Sequence, residues 1–192
     1  MTILLAIRRG IAPALVTVAL AGSAGASSGL PFTLVGTAPK TLTPAALSRA
    51  EKSATHGPAS VGTRTLTFTR KVVRLVAVTG PDKDMLSYRI DGLRNPTLVI
   101  PRRAAIKVLF VNTDDDMFHN IRFGRAMAAY PNLMESYLKA SVGTPPLPHQ
   151  TEAAAHGEEI TGRAPAAPGK YAYLCTVRGH AQGGMVGTIL VR

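Results

Sequence analysis

The chain has 192 residues, 46% apolar and 17% charged, with one cysteine, no tryptophan and a formal net charge of +11. That length suits one domain with extensions and a real hydrophobic core, while a single cysteine excludes an intramolecular disulfide. The Lys and Arg residues are scattered, which argues against a nucleic-acid-binding face and leaves a general preference for acidic partners.

Residues 1–26 read as a signal peptide. Arg8 and Arg9 give a positive start, Ile11 to Ala21 is an apolar run short for a bilayer span, and Ala24-Gly25-Ala26 offers a small-residue cleavage site. The arginine pair is compatible with twin-arginine export. Export places the mature chain in the periplasm or another extracytoplasmic compartment, with no stable membrane insertion once the signal is cleaved. Without Arg8 and Arg9 the balance is 20 basic to 11 acidic residues, still +9. Residues 27–62 form an N-terminal extension in which Thr43 to Ala54 predicts a short helix. Thr43 suits the N-cap, and Pro44 the first helical position, where its missing donor costs nothing. Gly57-Pro58 stop the helix, and its thin apolar stripe, Leu47 and Ala50, requires it to pack on the main body.

The main domain, residues 63–192, is a succession of short β-branched and aromatic runs. Strands are predicted at 65–68, 72–78, 86–90, 97–100, 105–111, 120–123, 170–174 and 186–191, separated early on by Gly-Pro, Asp-Gly and Asn-Pro breaks. The pattern predicts an all-β sandwich or barrel. Ala105–Val111 is apolar on both faces apart from Lys107, as a central strand should be. Residues 125–168 interrupt the series. Met134, Tyr137 and Leu138 have partly helical spacing, Pro131 breaks it, and an Ala-, Pro- and Gly-rich tract follows. This excursion is longer than loops usually run, so an irregular, partly helical insertion over the sandwich is expected.

The only cysteine opens Cys175-x4-His180-x4-Met185, on a loop between the last two predicted strands. A thiolate, an imidazole and a thioether form a soft ligand set. It is one imidazole short of a trigonal copper site built from two His and one Cys, with a weak axial Met. Four other histidines are available. His56 closes the predicted helix, where it favours the dipole, and His149 and His156 lie in polar loop. His119 is better placed: it follows the central strand, whose end a sandwich can bring beside the Cys175 loop. Asp114, Asp115 and Asp116 lack EF-hand spacing and read as a solvated turn. Zinc would call for Cys pairs or four N/S ligands. A papain-like thiol nucleophile would sit at a helix N-terminus or in an electropositive cleft, whereas Cys175 ends a strand. Burial as a small hydrophobe would explain Cys175 alone, but not His180 and Met185 in register with it.

Three stretches resemble the cupredoxins, the blue-copper proteins, in their rusticyanin-like branch. They are Asn95-Pro-Thr-Leu-Val-Ile-Pro101 leading through Val108–Thr113 to His119, Gly169-Lys-Tyr-Ala-Tyr-Leu-Cys175, and Gly179-His180 with Met185-Val-Gly187. The resemblance implies a Greek-key β-sandwich and one type 1 copper ion. It makes His119, Cys175 and His180 the equatorial ligands and Met185 the axial one, with Asn120 tying the two ligand-bearing loops together. It also implies one-electron transfer in a respiratory or redox chain, not enzymatic catalysis, by a monomer. The partners would be redox proteins such as c-type cytochromes or a terminal oxidase. His180 would present its ring edge at the surface, and Arg178, inside the loop, would guide acidic partners. A copper chaperone that delivers metal is the alternative, and it would suit an exposed Met-rich site. Of the six Met, however, only Met185 lies in the motif. A copper enzyme such as a nitrite reductase would need a second domain and more clustered histidines.

Overall fold

A computed structural model describes residues 30–54 and 60–192. The signal segment at 1–26, His56 and Gly57-Pro58 lie outside the described residues. The chain runs through β1 (Thr33–Gly36), β2 (Lys40–Leu42), α1 (Pro44–Ala54), β3 (Ser60–Val61), β4 (Thr65–Thr67), β5 (Val72–Thr79), β6 (Tyr88–Ile90) and β7 (Leu93–Arg94). It continues with β8 (Thr97–Ile100), β9 (Ala105–Asn112), β10 (Arg122–Arg125), α2 (Glu135–Lys139) and β11 (Val142–Gly143). The last three strands are β12 (Ala155–Arg163), β13 (Gly169–Leu174) and β14 (Val186–Val191).

These strands make a two-sheet sandwich, not a closed barrel. One sheet has the order β1-β12-β9-β5-β6-β7, with β2 also paired to β12; the other runs β11-β10-β13-β14-β8-β4-β3. Alternate residues of the inner strands fill the space between the sheets: Ile106, Val108 and Phe110 from β9 meet Tyr171 and Tyr173 from β13 and Ile189 and Val191 from β14. Each such large side chain contributes roughly 1.5–3 kcal/mol relative to leaving it exposed. The apolar β9 is indeed central, flanked by β5 and β12, and its Lys107 reaches Glu159 of β12 at 2.8 Å.

The helix forms where its caps predict. Thr43 Oγ1 accepts the Ala46 N–H at 3.3 Å, and Ala46 and Leu47 pack on Leu42, Val111 and Ala155. Two expectations need correction. The excursion at 125–168 is not irregular throughout: it contains β12, a nine-residue strand paired to β9 from His156 to Arg163. Nor does it simply lie over the sandwich, because β11 extends the second sheet beside β10. Its helical content is only α2, where Met134 and Tyr137 are buried while Leu138 is exposed. The extension before residue 62 is likewise knitted into the body, with β1 and β2 both pairing with β12.

β12 carries one polar group into the interior. Glu158 is 3% exposed, on the same side of the strand as Ile160, and its Oε2 has no hydrogen-bond partner among the described residues. Burial raises its pKa above the ordinary 4.5. A folded value above the unfolded one means that the stability linked to this group is complete below the ordinary value and is lost as pH rises through the folded value. Glu158→Gln is therefore expected to raise the denaturant midpoint at neutral pH and to leave it nearly unchanged in acid. Parallel pH profiles for the two proteins would show that Glu158 is not the group responsible.

Candidate metal centre

The site lies where the end of β9 and the connection after β13 meet. After Asn112 the chain makes a tight turn and enters a single bridge in which His119 and Leu147 exchange backbone hydrogen bonds at 3.3 and 2.8 Å. Leu147 belongs to the excursion, which thus holds the backbone of His119. On the other side, Cys175 follows β13 directly. Its N–H donates to the Met185 carbonyl at 3.1 Å, closing the neck of the loop. Inside the loop the Met185 N–H donates to the His180 carbonyl and the His180 N–H to Val177, each at 3.0 Å. Gly179 and Gly184 take φ values of +79° and +107°, a region that residues with a Cβ rarely adopt.

Four soft donors converge there. The ligand atoms of His119, Cys175 and His180 lie within 4.8 Å of one another. Cys175 Sγ is 3.5 Å from His180 Nδ1 and 3.9 Å from His119 Nδ1, and the two Nδ1 atoms are 3.1 Å apart. Met185 Sδ is 3.1 Å from His119 Nδ1. His119, Cys175 and Met185 are fully buried and His180 is 8% exposed. Neutral imidazole nitrogens this close, facing a thiol and a thioether, satisfy one another poorly as hydrogen-bond partners. They suit a soft transition metal well, and the donor set fits copper.

Asn120 binds the two segments together. Its Nδ2 donates to Thr176 Oγ1 and its Oδ1 accepts the Thr176 N–H, both at 2.8 Å. Arg178 is exposed on the loop. His149 is exposed, edge-on to Phe118, and His156 is half-buried within β12; neither joins the cluster.

Some site residues were not legible in the sequence. Tyr88, fully buried, donates its hydroxyl to the Asn120 carbonyl at 2.6 Å. Asn95 bridges β6 and the metal loop, accepting the Tyr88 N–H at 2.8 Å and donating to the Gly184 carbonyl at 3.0 Å. Asn132, in the excursion, accepts the Gly179 N–H through its carbonyl at 3.0 Å. The expected solvated turn at 114–116 is also corrected. Asp115 and Asp116 are exposed, but Asp114 is 4% exposed and its Oδ2 lies 3.2 Å from His119 Nε2. The turn folds over Asp114 because its Oδ1 caps two backbone N–H groups, those of Asp116 and Met117.

Burial holds the metal-free donors in their neutral forms. It pushes the Cys175 thiol up to about 11, against the opposing pull of the Asn120 and Val177 N–H groups. It lowers His119, with Asp114 opposing, and brings His180 down to about 4, helped by repulsion from His119. Burial alone would raise Asp114, but hydrogen bonds from Asp116, Met117 and His119 outweigh it and keep the carboxyl below its ordinary value.

A family model described as copper-binding proteins of the plastocyanin/azurin family matches residues 94–192. The chain is 30% identical over 181 residues to rusticyanin of Acidithiobacillus ferridurans, covering 92% of this chain and 94% of that protein. It is 33% identical over 132 residues to a rusticyanin of Acidithiobacillus ferrooxidans, covering 67% and 81%. Among solved structures it matches the 1.27 Å structure of rusticyanin from Thiobacillus ferrooxidans with TM-score 0.69 and 27% identity, over 81% of this chain and 98% of that one. A histidine-to-methionine variant of rusticyanin gives TM-score 0.72 and 25% identity, over 82% and 100%.

With copper as the cofactor, the protonation states make a prediction. The imidazoles are neutral at pH 7 and the thiol is protonated, so binding must displace one proton per ion, from Cys175. Apparent affinity should rise about tenfold per pH unit from neutrality up to about 11, and fall more steeply in acid as the imidazoles take up protons, His180 at about 4. Calorimetry in buffers of different ionisation enthalpy counts that proton, and a count of zero at pH 7 would contradict the assignment. The chain belongs to the plastocyanin/azurin family of copper-binding proteins, the cupredoxins, as a blue-copper electron-transfer protein similar to rusticyanin.

Proposed function

We propose that the protein is an exported one-electron carrier in a respiratory or redox chain, cycling one type 1 copper between Cu(II) and Cu(I). His119, Cys175 and His180 are its equatorial ligands and Met185 its weak axial one. The observation that carries this reading is the convergence of four soft donors, from two segments of the chain, in a pocket where three of them are fully buried. Bound copper supplies the one-electron couple, and a trigonal set of two imidazole nitrogens and one thiolate sulfur, with a thioether, suits both oxidation states. The chain's part is to hold the donors still, keep the sulfur as thiolate once the ion is bound, and exclude water.

The domain reading that goes with this function is a cleaved signal at 1–26, an extension at 27–62 and the copper domain at 63–192. Among the described residues no helix is long and apolar enough to cross a membrane. Release into the periplasm or an equivalent compartment rests on the signal reading of residues 1–26. A chaperone role fits less well, because exchange of metal calls for accessible ligands and Met185 and Cys175 are both 0% exposed. Electrons would leave through His180, the least buried of the four donors. The partner would be a c-type cytochrome or terminal oxidase with an acidic face, met by a monomer that carries no catalytic activity of its own. Arg178, exposed two residues before His180, supplies local positive charge for that encounter.

Copper titration should produce an intense thiolate-to-copper visible band and a narrow-hyperfine paramagnetic resonance spectrum, both lost in Cys175→Ala. A wild-type protein that binds copper without that band would sink the assignment. Reversing the charge with Arg178→Glu should slow electron exchange with an acidic cytochrome and flatten its dependence on ionic strength. Equal rates at low salt would remove Arg178 from the docking surface.

A further inference from the structure

The turn between β9 and His119 places a buried carboxylate behind one of the four donors. Asp114 and His119 have side chains 2% and 0% exposed, with Oδ2 and Nε2 3.2 Å apart. The contact is held from both ends. Asp114 Oδ1 accepts the N–H groups of Asp116 and Met117 at 3.0 and 2.8 Å, and the Asp114 N–H donates to Asn112 Oδ1 at 3.1 Å. Asn112 is itself fixed, since its Nδ2 donates to the carbonyls of Met117, Leu147 and Pro148. The carboxylate therefore cannot swing away from the ring without dismantling the turn.

The chemistry follows from which nitrogen faces which neighbour. His119 Nδ1 points into the donor cluster, so a neutral ring that ligates through it carries its proton on Nε2 and donates to Asp114 Oδ2. Hydrogen bonds to an ionised acceptor are short and strong, and a carboxylate behind a ligating imidazole makes the other nitrogen a better donor. The negative charge also lies one ring away from the cluster, inside a region of low effective dielectric. Both effects favour the more highly charged oxidation state of a bound ion.

An amide cannot replace this arrangement. Asp114 uses one oxygen for the two backbone N–H groups and the other for the ring, whereas Asn has a single acceptor oxygen. Either the turn loses its cap or the side-chain amide turns its own N–H donors against Nε2–H.

We propose that Asp114 is a positioning residue of the copper site, fixing the tautomer and orientation of His119 and lowering the reduction potential through its charge. This rests on the ligand assignment proposed above. Among the described residues neither His180 nor Cys175 is hydrogen-bonded to Asp114, so the positioning acts through His119, while the charge is felt across the cluster.

The test compares wild type, Asp114→Asn and Asp116→Asn, each loaded with copper, by spectroelectrochemistry and by competition titrations in both oxidation states. Asp114→Asn should weaken Cu(II) binding about 10–100-fold, the usual range for a lost partner of a ligating histidine, and weaken Cu(I) binding less. The potential then rises by about 59 mV for each tenfold difference between the two losses. Asp116→Asn removes an exposed carboxylate from the same turn and should move the potential far less. Unchanged potential in Asp114→Asn, or an equal shift in Asp116→Asn, overturns the proposal while the thiolate band of wild type leaves the ligand assignment standing. Absence of that band in wild type overturns both. If Asp114→Asn does not fold, the Cu(I) wild-type protein decides by proton NMR. The His119 Nε2 proton should exchange slowly and lie far downfield, and a rapidly exchanging, unshifted proton overturns the proposal.

Discussion

The double hydrogen bond between Asn120 and Thr176 is the constraint on which the rest of the site depends. Cys175 directly follows β13, whereas His119 lies in the connection between β9 and β10. The pairing of β10 with β13 brings the two segments near one another but leaves the donors themselves, 56 residues apart, unjoined. Asn120 spans the gap with both polar atoms of its amide, and its own carbonyl receives the Tyr88 hydroxyl from β6. One residue is thus fastened to both halves of the sandwich. A buried amide whose nitrogen and oxygen are both engaged specifies one geometry, because a shift leaves an unsatisfied group at about 1–3 kcal/mol.

Around that clamp, the loop region behaves as part of the core. Tyr173 and Tyr88 lie 5.4 Å apart with their hydroxyls on the carbonyls of Pro96 and Asn120, so the two largest fully buried side chains among the described residues tie β6 and β13 to the segments that carry the donors. Gly187 makes room for this pairing, since a Cβ there would overlap the Tyr173 ring. The same strand order that buries Cys175 raises its thiol and lowers both imidazoles. The four donors therefore carry no charge of their own into the interior, and the buried charge beside them is the Asp114 carboxylate, which is hydrogen-bonded.

The sequence made the site's centre legible because its residue types are rare and their steps fixed: one Cys, then His and Met at equal intervals. Apolar strands such as β8, β9 and β14 were equally plain from their β-branched runs. β12 was not, and the reason is physical. Its sequence, Ala-His-Gly-Glu-Glu-Ile-Thr-Gly-Arg, has two glycines and an acidic pair where alternation would be expected. Those glycines are demanded by packing. A Cβ at Gly157 would press on the Phe110 carbonyl at 3.1 Å, and one at Gly162 would run into the backbone of Thr33 and Leu34. A strand with neighbours so close on both sides sheds the side chains that would have announced it. Asp114 escaped for a related reason: three consecutive Asp residues look alike in sequence, and only the turn closing over the first of them separates it from its solvated neighbours.

The excursion acquires a role from the same contacts. It pairs Leu147 with His119, offers the Asn132 carbonyl to Gly179, and buries Met134 and Tyr137 against Leu174 and Ala181. Both donor-bearing segments are therefore braced from outside by one stretch of chain, although unequally. His119 has a backbone bridge to Leu147, a carboxylate behind its ring and no exposure, whereas His180 is 8% exposed. A centre that must change charge without moving its ligands benefits from this division. The anchored imidazole resists displacement, and the one nearer the surface offers a short route outward. On the proposed assignment, the fold has separated holding the ion from communicating with it, and the residues that separate the two tasks are Asp114 and Asn120.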